Sequence, residues 1–101
     1  MLNDILTLVK MTITTDDLLI QRETPERRDV FCDASSINQT EFYEAAQTGL
    51  KPEYRFIILA AEYDDETLVE FHGIPLTVYR TFRRSKDYIE LYTERRQGNG
   101  Y

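Results

Sequence analysis

The stretch NQTEFYEAAQTGLKPEYRF carries complete helix start and stop signals in a chain that otherwise alternates like β-strands. Asn38, its first residue, is a favoured N-cap, and Glu41 three residues later would complete a capping box. Gly49 suits the left-handed position that ends many helices, and Pro52 prevents the helix from continuing. The stretch therefore predicts one short helix, over residues 38–48.

The apolar residues of this predicted helix form a narrow stripe. Phe42, Ala45 and Ala46 recur at the helical spacing of three and four residues. Leu50 follows the terminating glycine and is placed to pack back on Ala45, as in a Schellman motif. We expect Phe42 to turn towards the strands and Tyr43 to face a partner, because these residues offer more apolar surface than so short a helix needs.

Alternating apolar residues predict six strands, over residues 4–13, 27–35, 53–63, 67–72, 76–82 and 87–94. The third segment is apolar on both faces, so we expect a central strand that is covered on both sides. We expect the last four strands to follow one another as a meander. Short strands with turn signals between them predict a mainly β fold, a small barrel or sandwich of about six strands. The helix, inserted between the second and third strands, would cover an open end or an outer face.

Polar segments predict the loops and the end of the chain. Residues 14–26 contain Asp16, Asp17 and a proline, and they predict a long loop or a weakly ordered hairpin tip that orders on assembly. Residues 64–66 predict a tight turn, and residues 95–101 predict a flexible tail.

Length, charge and cysteine content limit the class of protein. The 101 residues fit one domain, residues 1–101, and the net charge of -6 does not attract duplex DNA, whose phosphates need a positive surface. The single cysteine, Cys32, excludes an internal disulfide and fits a reducing compartment. We expect no signal peptide, because the first residues have neither a basic region nor a small-residue cleavage site. We also expect no membrane span, because no stretch approaches the roughly 20 apolar residues that a span needs.

No pattern in the chain predicts catalysis. His72 is the only histidine, and together with Cys32 it gives too few ligands for a zinc centre. The acidic run at residues 62–66 lacks the ligand spacing and the glycine of a calcium loop, so a solvated turn is favoured. Asp33 beside Cys32 would raise the pKa of the thiol, which favours a packed core residue over a nucleophile. We therefore expect no enzyme activity, no metal and no cofactor.

Two basic segments, RTFRRSK and ERR, leave nucleic-acid binding as an alternative. A single-strand-binding β-barrel would need Tyr79, Arg80, Phe82 and Arg83 on one exposed sheet face, where aromatic and basic groups can contact a strand together. Charge runs more often mark solvated surfaces, and the whole chain is acidic. A solvated turn or a protein interface is therefore the preferred interpretation.

Three stretches, DILTLV, RRDVFCDASSINQTEFYEAAQTGLKPEYRF and VYRTF with DYIELYTERR, carry a resemblance to a known family. The chain resembles the head–tail joining proteins, also called head-closure or stopper proteins, of long-tailed bacteriophages. The middle stretch is the specific one, because its Glu-Phe-Tyr-x-Ala helix followed by Gly-Leu-x-Pro-Glu is a pattern of this family. The segment RRSK departs from the family in a turn that varies widely.

This resemblance implies a structural virion protein of the phage neck, present in the host cytoplasm during assembly. It implies a homo-oligomeric ring, twelvefold in the better-known relatives, beneath the portal and adaptor proteins. The ring would close the exit channel around packaged DNA without sequence-specific binding, and would dock a tail or tail-terminator protein. Another neck or tail ring protein, such as a tail terminator, is the alternative. The candidate subunit-interface or channel residues are Asp16, Asp17, Tyr43, Leu50, Lys51, Arg83 and Arg84.

Overall fold

The computed structural model of the protein describes residues 2–95. The elements follow in the order β1 (Asp4–Thr15), β2 (Gln21–Ser36), α1 (Gln39–Ala46), β3 (Pro52–Leu59), a short 3-10 helix (Ala60–Glu62), β4 (Leu68–Phe71), β5 (Ile74–Arg83) and β6 (Tyr88–Arg95). The prediction of a mainly β fold, with about six strands and one helix between the second and third strands, is confirmed. The predicted tail lies outside the described residues, apart from Arg95, which ends β6.

The six strands form a closed antiparallel barrel in the order β1-β2-β3-β6-β5-β4. The predicted four-strand meander is wrong, because β3 pairs with β2 and β6 and not with β4. The 3-10 helix and the following segment 63–67 carry the chain from β3 to the far side of the barrel. There β4 pairs with β1 and closes the sheet, which removes most of the free strand edges.

The core is filled by inward side chains from all six strands. Phe56 is fully buried, and its ring centroid lies 4.9 Å from that of Phe71 and 5.6 Å from that of Tyr54. Thr93, a buried polar residue, donates its hydroxyl hydrogen to the carbonyl of Tyr54 at 2.9 Å. Cys32 is packed in this core as predicted, and burial, followed by the charges of two nearby aspartates, raises its pKa to about 12. Its thiol is therefore protonated and inert.

Strand β3 is central in the sheet, but it is not covered on both sides. Its outward Ile57 is only half-buried and Leu59 is 37% exposed. Helix α1 makes only a small contact with β3 and is fixed by hydrogen bonds to β5. The expectation for the outer face of β3 is therefore wrong, because the single helix lies largely elsewhere.

The segment predicted as a long loop, residues 14–26, belongs mostly to a β-ribbon. Strands β1 and β2 stay paired from Asp4 opposite Cys32 to Thr15 opposite Gln21, so only residues 16–20 form the turn. Threonine has a high strand propensity although it is polar, so the low hydrophobicity of this segment does not prevent its residues from pairing as strands. Of the two predicted alternatives, the pairing bears out the hairpin and not the long loop. We call residues 10–26 the arm; β4 lies beside β1 only as far as Val9, and the protein is 51 Å in its longest dimension.

Helix α1 starts and ends with the predicted caps. The side-chain oxygen of Asn38 accepts the amide hydrogen of Glu41 at 2.8 Å. At the other end, Gly49 has φ +88° and the amide of Leu50 donates to the carbonyl of Ala45 at 3.2 Å, as the Schellman motif requires. The capping box is only half formed, because the Glu41 carboxylate bonds to strand β5 and not to the N-cap amide.

The acidic segment near residue 64 is neither a tight turn nor fully solvated. Glu66 is buried, accepts the amide hydrogen of Asp64 at 2.8 Å, and pairs with Arg28 at 3.2 Å. Lys10 contacts the Asp64 carboxylate at 2.5 Å, which raises the pKa of the lysine and lowers that of the aspartate. These ion pairs attach the base of the arm to the loop that precedes β4.

Candidate functional site

Glu41 fixes α1 to the barrel wall. Its carboxylate accepts the hydroxyl hydrogen of Tyr79 at 2.9 Å and pairs with the guanidinium of Arg80 at 2.5 Å and 3.4 Å. Successive residues of a regular strand point to opposite faces, so a β-bulge is needed to bring both partners to one carboxylate. The register of β5 against β6 shifts between Val78 and Arg80, which leaves Tyr79 as the extra residue.

A charged and aromatic network continues from this anchor across the outer face of β6. The guanidinium carbon of Arg80 lies 4.0 Å from the ring centroid of Tyr92, a cation–π contact. The Tyr92 hydroxyl donates to Glu90 at 2.7 Å, and Glu90 also pairs with Arg84 at 3.4 Å and with Arg55 at 4.0 Å. Arg80, Arg84 and Arg55 therefore already have carboxylate partners.

The two tyrosines of the network are kept as neutral phenols. Burial is the main cause that raises the pKa of Tyr79, and the hydrogen bond to Glu41 raises it further. Burial also raises the pKa of Tyr92, helped by its hydrogen bond to Glu90. The Arg80 pKa is raised chiefly by its hydrogen bond to Glu41, so Arg80 stays charged. The side chains of Glu41, Tyr79 and Arg80 thus hold α1 to the barrel, and we call this group the clasp.

Phe42 and Tyr43 project from the anchored helix into solvent. They are 45% and 61% exposed, and their rings meet edge to face with centroids 6.5 Å apart. The expectation that Phe42 turns towards the barrel is wrong, since Ala45 is the buried residue of α1. Tyr43 faces outward, as expected. The α1 face, by which we mean these two rings, is an exposed aromatic patch on a rigid support.

The predicted candidate residues fall in three different elements. Tyr43 lies on α1, with Leu50 and Lys51 at its exit; Asp16 and Asp17 lie at the tip of the arm; Arg83 and Arg84 lie at the β5–β6 turn. Leu50 is half-buried beside a groove between α1 and β5, and the Lys51 amide donates to Glu94 at 3.3 Å.

Asp16 has a structural role at the arm tip. Its carboxylate accepts amide hydrogens from Leu18 at 2.9 Å and Ile20 at 3.0 Å, while Asp17 is exposed. Arg83 donates to the carbonyls of Ser85 and Lys86, each at 3.1 Å, and so closes its own turn.

The face required by the nucleic-acid alternative is not assembled as a free basic surface. Arg80 is neutralised by Glu41, and Tyr79 is half-buried with its hydroxyl bonded to the same carboxylate. Among the described residues Arg83 pairs with no carboxylate, and its guanidinium donates to the carbonyls of Ser85 and Lys86. Phe82 is exposed, but Arg80, two residues before it on β5, is already paired with Glu41. This local balance offers little net positive charge to a phosphate backbone.

His72 is exposed at the end of β4, as expected, but it has a partner distant in sequence. Its Nε2 lies 3.0 Å from the Asp4 carboxylate, and its ring stacks on Phe71 with centroids 4.0 Å apart. The hydrogen bond from His72 is the main cause that lowers the Asp4 pKa. Within residues 2–95, no group of three or more His, Cys, Asp or Glu side chains is arranged to hold a metal ion. No helix in the same part of the chain is long and apolar enough to cross a membrane.

Sequence reasoning missed the clasp between Glu41 and the β5 wall. Glu41 and Arg80 are 39 residues apart, and the local signal assigned the glutamate to a capping box. The one available hint was the adjacent Tyr79 and Arg80 in a strand, which can share a partner only across a bulge.

No protein-family model matches the chain, and no curated protein matches it.

Proposed function

We propose that this chain is a structural head–tail joining protein of a long-tailed bacteriophage. In this proposal it assembles as a ring, twelvefold by family resemblance, between the portal with its adaptor and the tail or tail-terminator protein. The ring closes the channel around packaged DNA and binds no cofactor. Its place would be the virion neck, with assembly in the host cytoplasm.

The observation that carries the proposal is the exposed α1 face on a rigidly anchored helix. A helix of eight residues is too short to be stable alone, and here both of its caps and the Glu41 clasp hold it in place. Two adjacent aromatic rings on such a support are typical of protein interfaces, where tyrosine and phenylalanine are enriched. The same stretch contains the pattern on which the family resemblance rests.

The charge of the protein supports a role beside DNA without tight binding to it. The net charge is -6, and Arg80 and Arg84 of the β5–β6 wall are paired with glutamates. An acidic wall repels the phosphate backbone and would let DNA pass along a channel. This favours the joining function over the single-strand-binding alternative, which predicts steeply salt-dependent binding.

The direct test is electron microscopy of the chain incubated with portal–adaptor complexes of long-tailed phages. The proposal expects additional ring density at the narrow end of the connector. Absence of ring density across a panel of such complexes would overturn it. Tight, salt-dependent binding to single-stranded DNA would favour the nucleic-acid alternative instead.

The α1 face is tested by replacing both of its rings with serine, Phe42→Ser together with Tyr43→Ser. We expect the double variant to fold, because both side chains are exposed in the isolated chain. We also expect it to add no ring density to the connector. Phe31→Ser is the matched control, since Phe31 is also 61% exposed but lies on β2. Leu50 is less suitable, because it is half-buried and belongs to the helix cap. Rings that form equally well with the double variant would remove α1 from the interface.

A further inference from the structure

The arm has two free strand edges. Beyond Val9, β1 pairs with β2 alone among the described strands, and β2 gains its second neighbour only from Asp33 onwards. A free edge presents rows of N–H and C=O groups that can pair with another chain. A two-stranded ribbon is also marginally stable in water, so an added strand would stabilise it.

The hydrogen-bond pattern shows which amides point to the β1 edge. The Asp16 amide donates to the Ile20 carbonyl at 3.2 Å, which makes this a hydrogen-bonded pair. Hydrogen-bonded and non-hydrogen-bonded pairs alternate, so the pair of Met11 and Pro25 is of the second kind. Pro25, which has no amide hydrogen, fits that position. The amides of Met11 and Ile13 therefore point away from β2, towards the free edge of β1.

The two edges differ in how they are protected. The β2 edge, QRETPERR at residues 21–28, carries a proline and five charged side chains, the usual protection against edge pairing. The β1 edge, MTITT at residues 11–15, carries neither charge nor proline and is rich in β-branched residues. Its Met11 and Ile13 are 42% and 65% exposed. Only the β1 edge is therefore open to an added strand.

The order of charged residues along β1 favours a second copy of the same strand as the partner at this edge. Lys10 precedes this neutral segment, and Asp16 and Asp17 follow it. When two copies of the segment pair antiparallel around Ile13, Lys10 of each copy lies opposite Asp16 of the other, on the same face. Within its own chain Lys10 contacts Asp64 and Asp16 contacts Arg22 at 3.5 Å, so the charges of the second copy would add to these exposed pairs. Opposite charges in cross-strand positions are favourable, whereas a parallel arrangement would place like charges together. The edge is thus complementary to itself in one direction only.

We infer that the β1 edge of the arm pairs antiparallel with the β1 edge of a second copy of this chain. The two arms then form a continuous four-stranded sheet with a two-fold axis at Ile13. About five residues on each side make the contact, which is small, so the dimer is weak and forms at high protein concentration. This inference does not rest on the proposed head–tail function, which is tested through α1 and the connector.

A pair of variants, each with one cysteine added to the buried native Cys32, tests the register. Ile13→Cys places a thiol at the two-fold axis, whereas Glu23→Cys places one on the same rung and face but on the β2 strand. In the paired arms the two thiols of the second variant would be about 14 Å apart, three strand spacings, which is too far for a disulfide. We expect oxidation to crosslink Ile13→Cys to a dimer and to leave Glu23→Cys monomeric. Equal crosslinking of both variants, or of neither, would overturn the inference.

A pair of proline variants tests the edge itself. Both Ile13→Pro and Glu23→Pro remove an amide that points out of the ribbon, on the β1 edge and the β2 edge respectively. Sedimentation velocity over a concentration series should show a monomer–dimer equilibrium for wild type and Glu23→Pro, and association at least about tenfold weaker for Ile13→Pro. Circular dichroism checks that both variants are folded. If either is not, the Ile13→Cys and Glu23→Cys variants test the inference in its place. A wild-type chain that stays monomeric throughout would refute the inference.

Discussion

Replacing Glu41 with alanine should destabilise the fold more than its place on a short surface helix suggests. The substitution removes the ion pair with Arg80 and the acceptor of the Tyr79 hydroxyl, and it removes a negative charge from the first turn of α1. The Glu41 side chain is 13% exposed, so the carboxylate is well shielded, although the Arg80 side chain is 42% exposed and its ion pair must be discounted for screening.

The magnitude follows from three contributions. The half-exposed ion pair contributes about 1 kcal/mol, and the Tyr79 hydrogen bond contributes about 1 kcal/mol. The charge at the helix N-terminus adds about 0.5 kcal/mol. We therefore expect Glu41→Ala to lower the free energy of unfolding by about 2–3 kcal/mol, with a fall in Tm of roughly 8–16 °C for a domain of this size. Glu41→Gln keeps an acceptor for Tyr79 and should lose about 1.5 kcal/mol.

Urea unfolding followed by circular dichroism measures these changes, and Glu44→Ala is the matched control. Glu44 is exposed on the same helix, so its loss should stay within about 0.5 kcal/mol. A double-mutant cycle with Arg80→Met isolates the pair, because methionine keeps much of the aliphatic contact with Tyr92. A coupling energy near zero, or a Glu41→Ala variant as stable as the control, would refute the view that this residue anchors the helix.

Three other predictions concern the core, the arm and acid stability. Phe56→Ala should cost about 3–5 kcal/mol in urea unfolding, because the ring is fully buried; a cost under about 1.5 kcal/mol would contradict this packing. Leu19→Gly should raise the free energy of unfolding by roughly 0.5–1 kcal/mol, since Leu19 has φ +63°, while Leu18→Gly should give no gain. The Asp4 pKa is lowered by His72, so the stability from this contact is present above about pH 4, the pKa range of an unfolded aspartate, and is lost as the pH falls through the folded pKa. Asp4→Asn should therefore lower stability at pH 6 and flatten its acid dependence; unchanged pH profiles of unfolding would argue against it.

Local features of the fold were predictable from the sequence, because their causes lie within a few residues. The N-cap at Asn38 and the glycine exit at Gly49 depend on neighbouring backbone groups, and both were found where the pattern indicates. Inward and outward alternation in β2 was equally readable, with Cys32 buried and Phe31 exposed.

Features that depend on distant residues were not predictable. Closure of the barrel decides that β3 pairs with β6 and not with β4. The polar segments between the strands give no indication of this closure. Residues 14–26 are too polar for a buried strand, but they pair as a ribbon because each strand supplies the backbone partners of the other. The burial of Glu66 depends on Arg28, which is far away along the chain.

The orientation of α1 shows how one such distant contact decides which residues are available to a partner. Side chains on a helix rotate by about 100° per residue, so a helix held to the wall by Glu41 also turns Ala45, four residues later, towards the wall. Phe42 and Tyr43, one and two residues after the anchor, are thereby rotated away into solvent. Had Glu41 closed the capping box, the helix would have been free to bury Phe42, as its apolar pattern favours. The clasp thus gives up the burial of one aromatic ring and leaves two rings exposed together, which is the surface that the proposed ring assembly would use.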